Sequence, residues 1–244
     1  QQYDDGDDGG HAALEALGRN VVHQIERVRR RILSILVVAD EAARDVGERI
    51  VTLTRRAVEY HSPKVENHVL DFAQLARHAE LFRGDVLFSC LGTTRQQAGS
   101  IAAQRLVDVD YQFAAAQLAA QQGVRHYVLV SSSGADASSR NAYLQMKGEL
   151  EQKVSALPFA RISIVQPSLL LGERTERRVG EQLGAWLLPL ICQLPGLRRF
   201  RPIRGEEVAA KMIRISQSLP KQGANSDQHA GQNVARFRLD ELFD

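Results

Sequence analysis

The chain has 244 residues, 44% of them hydrophobic and 25% charged, with a formal net charge of +2 at neutral pH. That length and balance describe a folded protein with room for a sizeable core. A charge so close to zero calls for neither nucleic acid nor an anionic membrane as partner.

Residues 1–10 are acidic and glycine-rich, with Asp4-Asp5-Gly6-Asp7-Asp8, and read as a disordered tail. Residues 11–244 are expected to form one domain. A helical pattern over about 12–31 ends in the basic run Arg27-Val28-Arg29-Arg30-Arg31, which fits a solvated helix face. Ile32 to Ala39 is apolar throughout and fits either a buried strand or a buried helical turn. From residue 49 onward strands and helices alternate. Arg49–Thr54 reads as a strand running into Arg55 and Arg56, and Val69–Phe72 as a short edge strand. Asp85–Cys90 reads as a central strand running into Leu91-Gly92-Thr93-Thr94. An Ala/Gln-rich helix over about 101–122 is closed by Gly123, and His126–Val130 forms the next strand. A helix carrying Tyr143 and Lys147 follows, then a strand over Arg161–Val165 that ends at Gln166-Pro167-Ser168. Residues 173–204 break the rhythm with an apolar helix bearing Trp186 and Pro189, which suits a lid on the substrate side or a packed helix. Glu206–Ser216 reads as a helix, and the tail from Arg236 as an edge strand and turn.

Strands separated by helices of this length predict an α/β, Rossmann-like, doubly wound parallel sheet with a small C-terminal lobe. Ligands in such sheets sit beyond the carboxyl ends of the strands. Cys90 and Cys192 lie in apolar surroundings and read as small core residues in a reducing compartment. The seven histidines are scattered, so no metal site is expected. The longest apolar runs, Ile32–Ala39 and Ala185–Cys192, are too short to cross a bilayer. With no initiator methionine and no secretory signal, the terminus reads as trimmed and the expected location as cytoplasmic.

Chemistry concentrates in Tyr143-Leu-Gln-Met-Lys147 and the upstream Ser131-Ser132-Ser133-Gly134-Ala135-Asp136. On a helix, the lysine stands one turn beyond the tyrosine on the same face. A phenol titrates near pH ~10, and a neighbouring ammonium favours the phenolate. Serine hydroxyls at a strand end can hold a substrate carbonyl; either Ser131 or Ser132 fits. Serine to polarise, tyrosine to pass the proton and lysine to tune it make a carbonyl/alcohol redox site.

Several stretches together are similar to the Tat-interacting-protein family of atypical short-chain dehydrogenases/reductases, over the part of the chain from about residue 49 to the end. They are Cys90-Leu-Gly-Thr-Thr-Arg95 with Ala98-Gly99, Val107-Asp-Val-Asp-Tyr111, the Ser131–Asp136 turn, Tyr143-Leu-Gln-Met-Lys-Gly-Glu149 and Pro167-Ser168-Leu169-Leu170. The resemblance implies an NADP(H)-binding Rossmann domain, with NAD possible. By the same resemblance, Arg55 and Arg56 face the adenosine 2′-phosphate, and Asp71 and Phe72 border the adenine. Leu91, Gly92 and Thr93 pass under the cofactor. Ser131, Ser132, Tyr143 and Lys147 form the catalytic group, with Lys147 also reaching the nicotinamide ribose. Pro167, Ser168 and Leu169 close over the nicotinamide.

The front of the chain departs from that pattern. A family member opens with a strand, a Gly-x-x-Gly-x-x-Gly loop and a helix whose N-terminus binds the diphosphate. No such triplet exists here. Gly18-Arg19-Asn20 could stand for the third glycine and helix start. Alternatively, Ile32–Ala39 is the first strand, followed by the carboxylates of Asp40, Glu41 and Asp45.

Two expectations of function follow. One is an NADP(H)-dependent oxidoreductase acting on a small carbonyl or alcohol. The other is a nucleotide-sensing or cofactor-free protein that works through a protein partner. A sugar-nucleotide epimerase using the same Tyr/Lys pair is a third option, which Arg55-Arg56 disfavours.

Overall fold

The computed structural model describes residues 35–40, 49–60, 62–168, 170–171, 203–217 and 233–238. The acidic tail, the helix expected over 12–31, Leu169, Cys192 and nearly all of the segment 173–204 lie outside them.

Most strands form in the places their apolar runs mark. They are β1 (Ile35–Asp40), β2 (Arg49–Thr54), β3 (Val65–Val69), β4 (Val86–Ser89), β5 (His126–Val130), β6 (Arg161–Gln166), the short β7 (Leu170–Leu171) and β8 (Ile203–Arg204), and β9 (Asn233–Arg238). The seven-stranded sheet has the order β3-β2-β1-β4-β5-β6-β9, and β7 pairs with β8. Between strands lie a 3-10 helix (Phe72–Phe82), α1 (Arg95–Ala98) and α2 (Ile101–Arg105), the last continuing through a π-helical turn (Leu106–Tyr111) into α3 (Gln112–Gln121). α4 (Ala142–Ser155) and α5 (Gly205–Gln217) complete the set.

Both faces of the sheet are buried, by residues that alternate along each strand as a pleat requires. Val51, Leu53, Leu87, Tyr127, Leu129, Ile162 and Ile164 point to one side, against Phe72, Leu75, Phe82, Ala115, Ala119, Leu150 and Val154 of the helices. Ile50, Val86, Phe88, Val128 and Val165 point to the other, against Val208, Met212 and Ile215 of α5. The fold class expected from the sequence is therefore present.

Six strands of the large sheet run parallel, but β1 does not. It lies between β2 and β4 and is antiparallel to both, with Ile35 opposite Thr54, Asp40 opposite Arg49, and Leu36 opposite Ser89. Of the two placements open for the first strand, the second is realised, in reversed direction. Its carboxyl end points to the edge where β2 and β4 begin. Asp40 and Arg49 thus stand opposite each other at the edge away from the carboxyl ends of the parallel strands.

The edge strand expected over Val69–Phe72 is displaced. The ladder covers Val65–Val69, and Asp71 instead caps the 3-10 helix by accepting from the Ala73 amide at 3.0 Å. An aspartate two residues past a strand starts a helix more readily than it prolongs the strand. Gly123 closes α3 as expected, with φ of +86°.

Candidate active site

The carboxyl ends of β2, β4, β5 and β6 line one edge of the sheet, and most of the singled-out residues follow them. Ser131 follows β5, and its amide donates to Val165 O at 2.8 Å, which locks the exit of β5 to β6. Ser132 then starts a tight turn closed by Ala135 N donating to Ser132 O at 3.1 Å. Gly134 supplies the positive φ of +79° that this turn needs in its third place. Ser133 N donates to Pro167 O at 2.9 Å, and Asp136 N to Leu144 O at 3.1 Å, tying the turn to β6 and to α4.

α4 starts where Asn141 caps it, its Oδ1 accepting from the amides of Tyr143 and Leu144 at 3.0 and 3.2 Å. Tyr143 is 38% exposed. One turn on, the Lys147 ammonium lies 5.9 Å from the centre of the Tyr143 ring. The predicted tyrosine–lysine pair on one helix face is therefore formed. Lys147 is buried, and its Nζ is 3.3 Å from Oδ1 of Asp108, whose side chain is fully enclosed. The two charged groups form a buried ion pair. Burial pushes the Asp108 carboxyl above the usual carboxylate range, while Lys147 and the Thr93 amide pull it back. That amide donates to Asp108 Oδ2 at 3.2 Å, and Thr93 O accepts from Gln104 at 3.2 Å.

The two serines separate in role. Ser131 is buried and donates its hydroxyl to Glu151 Oε1 at 2.5 Å. Glu151 also accepts from Gln166 Nε2 at 2.8 Å and faces Arg236 Nε at 3.4 Å, while Arg238 donates to Gln166 Oε1 at 2.9 Å. This network ties α4 to β5, β6 and β9 and occupies Ser131. Ser132 is half-buried, and its hydroxyl makes only a long 3.5 Å contact with Ser133 O. Of the two, Ser132 keeps a hydroxyl available to a ligand.

The remaining residues divide. Arg55 and Arg56 leave the end of β2 exposed, with no ion-pair partner among the described residues. Leu91 is buried in the core, whereas Gly92 and Thr93 are half-buried above Asp108. Pro167 is buried and Ser168 half-buried at the end of β6. Asp71 is exposed and occupied in capping. Phe72 is a correction: it is 3% exposed and packs edge-on against Tyr111 at 6.0 Å between centroids, so it is core and does not border the crevice. A large apolar ring next to a strand end gains more from enclosure than from a wet ligand edge.

Asp108 and Glu151 were missed as site residues. Asp108 stood inside the Val107-Asp-Val-Asp-Tyr111 stretch without a role. Glu151 stands one turn past Lys147 and two past Tyr143, and that i, i+4, i+8 stripe was the available signal.

A Rossmann-like sheet with serine, tyrosine and lysine gathered at its carboxyl edge defines the short-chain dehydrogenase/reductase class. No family model matches the chain. It is 39% identical to rat Protein HTATIP2 over 179 residues, 73% of this chain and 64% of that protein. It is 33% identical to mitochondrial Protein FMP52 of Eremothecium gossypii over 175 residues, 70% of this chain and 77% of that protein. With its Candida albicans counterpart the identity is 34% over 178 residues, 69% and 76% of the two chains. The chain belongs to this family of HTATIP2- and FMP52-like atypical short-chain dehydrogenases/reductases. It spans under two thirds of the rat protein, 64%, and 39% of the Coccidioides immitis relative. Among solved structures it resembles Bordetella bronchiseptica WbmH in complex with NAD+, with TM-score 0.51, 12% identity, and 79% and 70% of the two chains covered. MoeE5 in complex with UDP-glucose and NAD gives TM-score 0.50, 14% identity and the same coverages of 79% and 70%. At such identities the likeness is one of fold. The expected cytoplasmic location does not stand, because the fungal relatives are named mitochondrial.

Proposed function

We propose that the chain is an oxidoreductase that takes a nicotinamide dinucleotide, NADP(H) ahead of NAD, and acts on a small carbonyl or alcohol. The observation that carries this reading is the pair of exposed Tyr143 and buried Lys147 on one face of α4, with Asp108 linking Lys147 to the Gly92–Thr93 loop.

The residues present fit the two ends of such a cofactor. Arg55 and Arg56 offer forked donors suited to a 2′-phosphate. Gly92 presents backbone without a side chain, and Pro167 and Ser168 flank the other end. When bound, the nicotinamide supplies a hydride to a carbonyl carbon or accepts one from an alcohol. Ser132 donates its hydroxyl to the substrate oxygen. Tyr143 delivers its proton to that oxygen on reduction and takes one on oxidation, while Lys147 holds positive charge beside the phenol. Tyr143→Phe should abolish NADPH turnover over a panel of aldehydes and ketones while leaving NADPH affinity within about threefold of the parent. Undiminished turnover refutes the assignment.

The middle of the cofactor is not provided for by β1. Its reversed direction turns its carboxyl end away from the carboxyl edge of the parallel strands, where a loop and helix start normally meet the diphosphate. This favours a second reading, a protein that works through a protein partner with weak or no nucleotide binding. Calorimetric titration with NADPH separates them: no binding at millimolar concentration removes the oxidoreductase and leaves the partner-binding protein.

A further inference from the structure

The helix that follows β4 departs from α geometry at Leu106–Tyr111, where it widens into a π turn. Such turns insert one residue into the helical repeat, at a cost in hydrogen bonding, and are frequent at functional sites. Here the cost is offset by named groups. The Gln112 amide, which in an α-helix would donate to Asp108 O, donates to Val109 O. Asp108 O accepts instead from the Gln112 side chain, Nε2, at 2.8 Å. The other end of that amide, Oε1, accepts from Ser89 Oγ at 2.8 Å, at the last residue of β4. Ser89 and Gln112 are both fully buried. A buried serine–glutamine pair thus fastens the widened turn to the sheet one residue before the Cys90-Leu91-Gly92-Thr93 loop begins.

The widened turn sends Asp108 inward. Its Oδ2 takes the Thr93 amide at 3.2 Å, and its Oδ1 faces Lys147 Nζ at 3.3 Å and lies 3.4 Å from where a Cβ on Gly92 would stand. One carboxylate therefore touches both the loop under the ligand and the lysine beside Tyr143. We propose that Asp108, presented by the π turn that Ser89 and Gln112 stabilise, is a positioning residue that holds the Lys147 ammonium and the Gly92–Thr93 loop in register. This rests on the proposed function for its consequence in catalysis, but the contact itself can be tested without cofactor. Removing one partner from a buried ion pair leaves the other uncompensated, so the effect should be large.

The test is trace acetylation of the native chain with acetic anhydride, read peptide by peptide, in the parent and in Asp108→Asn. The asparagine can still accept from Thr93, so the fold is kept while the charge is lost. Lys147 in the variant should label on the order of tenfold faster, about the effect of 1.4 kcal/mol of lost interaction, while Lys153 keeps its parent rate. An unchanged Lys147 rate, or a rise shared with Lys153, overturns the proposal. Should Asp108→Asn not fold, Ser89→Ala approaches from the sheet side and should raise Lys147 labelling about threefold, ~0.65 kcal/mol; no rise overturns the proposal. NADPH titration of Asp108→Asn, Lys147→Met and the double variant adds a coupling measurement. Losses that fail to add support one shared device, and additive losses overturn it. A parent chain that binds no NADPH sinks the oxidoreductase reading alone, since the labelling result stands by itself.

Discussion

Gly148 follows Lys147 and sits where α4 crosses the serine turn. A Cβ there would lie 2.2 Å from Ala137 N and 2.3 Å from Asp136 C, both backbone atoms that no rotamer change can move aside. Close approach is what this glycine provides: it brings the helix bearing Tyr143 onto the turn bearing Ser132. Gly148→Ala should cost about 3 kcal/mol through overpacking and lower the melting temperature by roughly 6–12 °C. Gly92→Ala is the contrast, because its Cβ would meet only Asp108 Oδ1 at an ordinary 3.4 Å. It should melt within about 2 °C of the parent, and a calorimetric scan of both variants decides. A similar residue-level logic separates the enclosed ring of Phe72 from the exposed ring of Tyr143. Both are aromatic, but only Tyr143 carries a lysine one turn on along the same helix face.

At the level of elements, α4 carries two carboxylates with different duties. Glu149 pairs with Arg105 of α2 through both oxygens, at 2.5 and 2.6 Å, and with Lys153 at 3.1 Å, in a partly exposed cluster that holds its carboxyl down to about 2. Glu151 faces inward to Ser131, Gln166 and Arg236. Glu151→Ala strips three partners at once in a buried place and should cost about 2 kcal/mol. Glu149→Ala should cost about 0.5 kcal/mol, because exposed pairs are screened. Urea denaturation midpoints will show the order, and equal losses would contradict it. From residue 49 on, most of the elements were legible, β3 and the 3-10 helix after it excepted. Apolar runs of strand length, and Gly123 at the end of a helix, leave little choice of period, and the stripe of Tyr143 and Lys147 follows from helical geometry alone. The partners of those side chains were not legible. Asp108 meets Lys147 from within a π turn that nothing in the local run Leu106–Tyr111 announces, and the Ser89–Gln112 contact beside that turn is equally unmarked. Direction in β1 was equally hidden, since Ile-Leu-Val-Val-Ala reads the same to a sheet from either end.

For the molecule as a whole, stability should depend on pH through a group far from the crevice. His126, at the start of β5, is buried and shares its Nε2 with Ser163 Oγ at 2.9 Å. Burial first, and Arg161 second, lower its pKa from 6.5 to about 4. The folded state thus prefers the neutral ring. The associated stability is fully present above pH 6.5 and is lost as pH falls toward about 4, where both states are protonated. A shift of that size corresponds to at most about 3 kcal/mol, with a slope approaching 1.4 kcal/mol per pH unit. Chemical denaturation between those limits should be steeper in pH for the parent than for His126→Gln. Parallel curves would mean that the imidazole opens to solvent before it titrates.

The backward strand also has a mechanical meaning. β2 and β3 pair with each other, but among the described strands they join the rest of the sheet through β1 alone, since β4 pairs only with β1 and β5. Because β1 and β2 are joined at one end by residues 41–48, they can zip as a hairpin, a contact made early and cheaply in chain entropy. The arginines at the end of β2 are then carried on a strand pair whose backbone ladder reaches the rest of the sheet through β1, while its side chains share the core with β4 and β5. Backbone amides of β1 become the reporters of that seam: their deuterium uptake follows any separation of the two halves of the sheet, while β5, clasped on both flanks, follows unfolding of the whole.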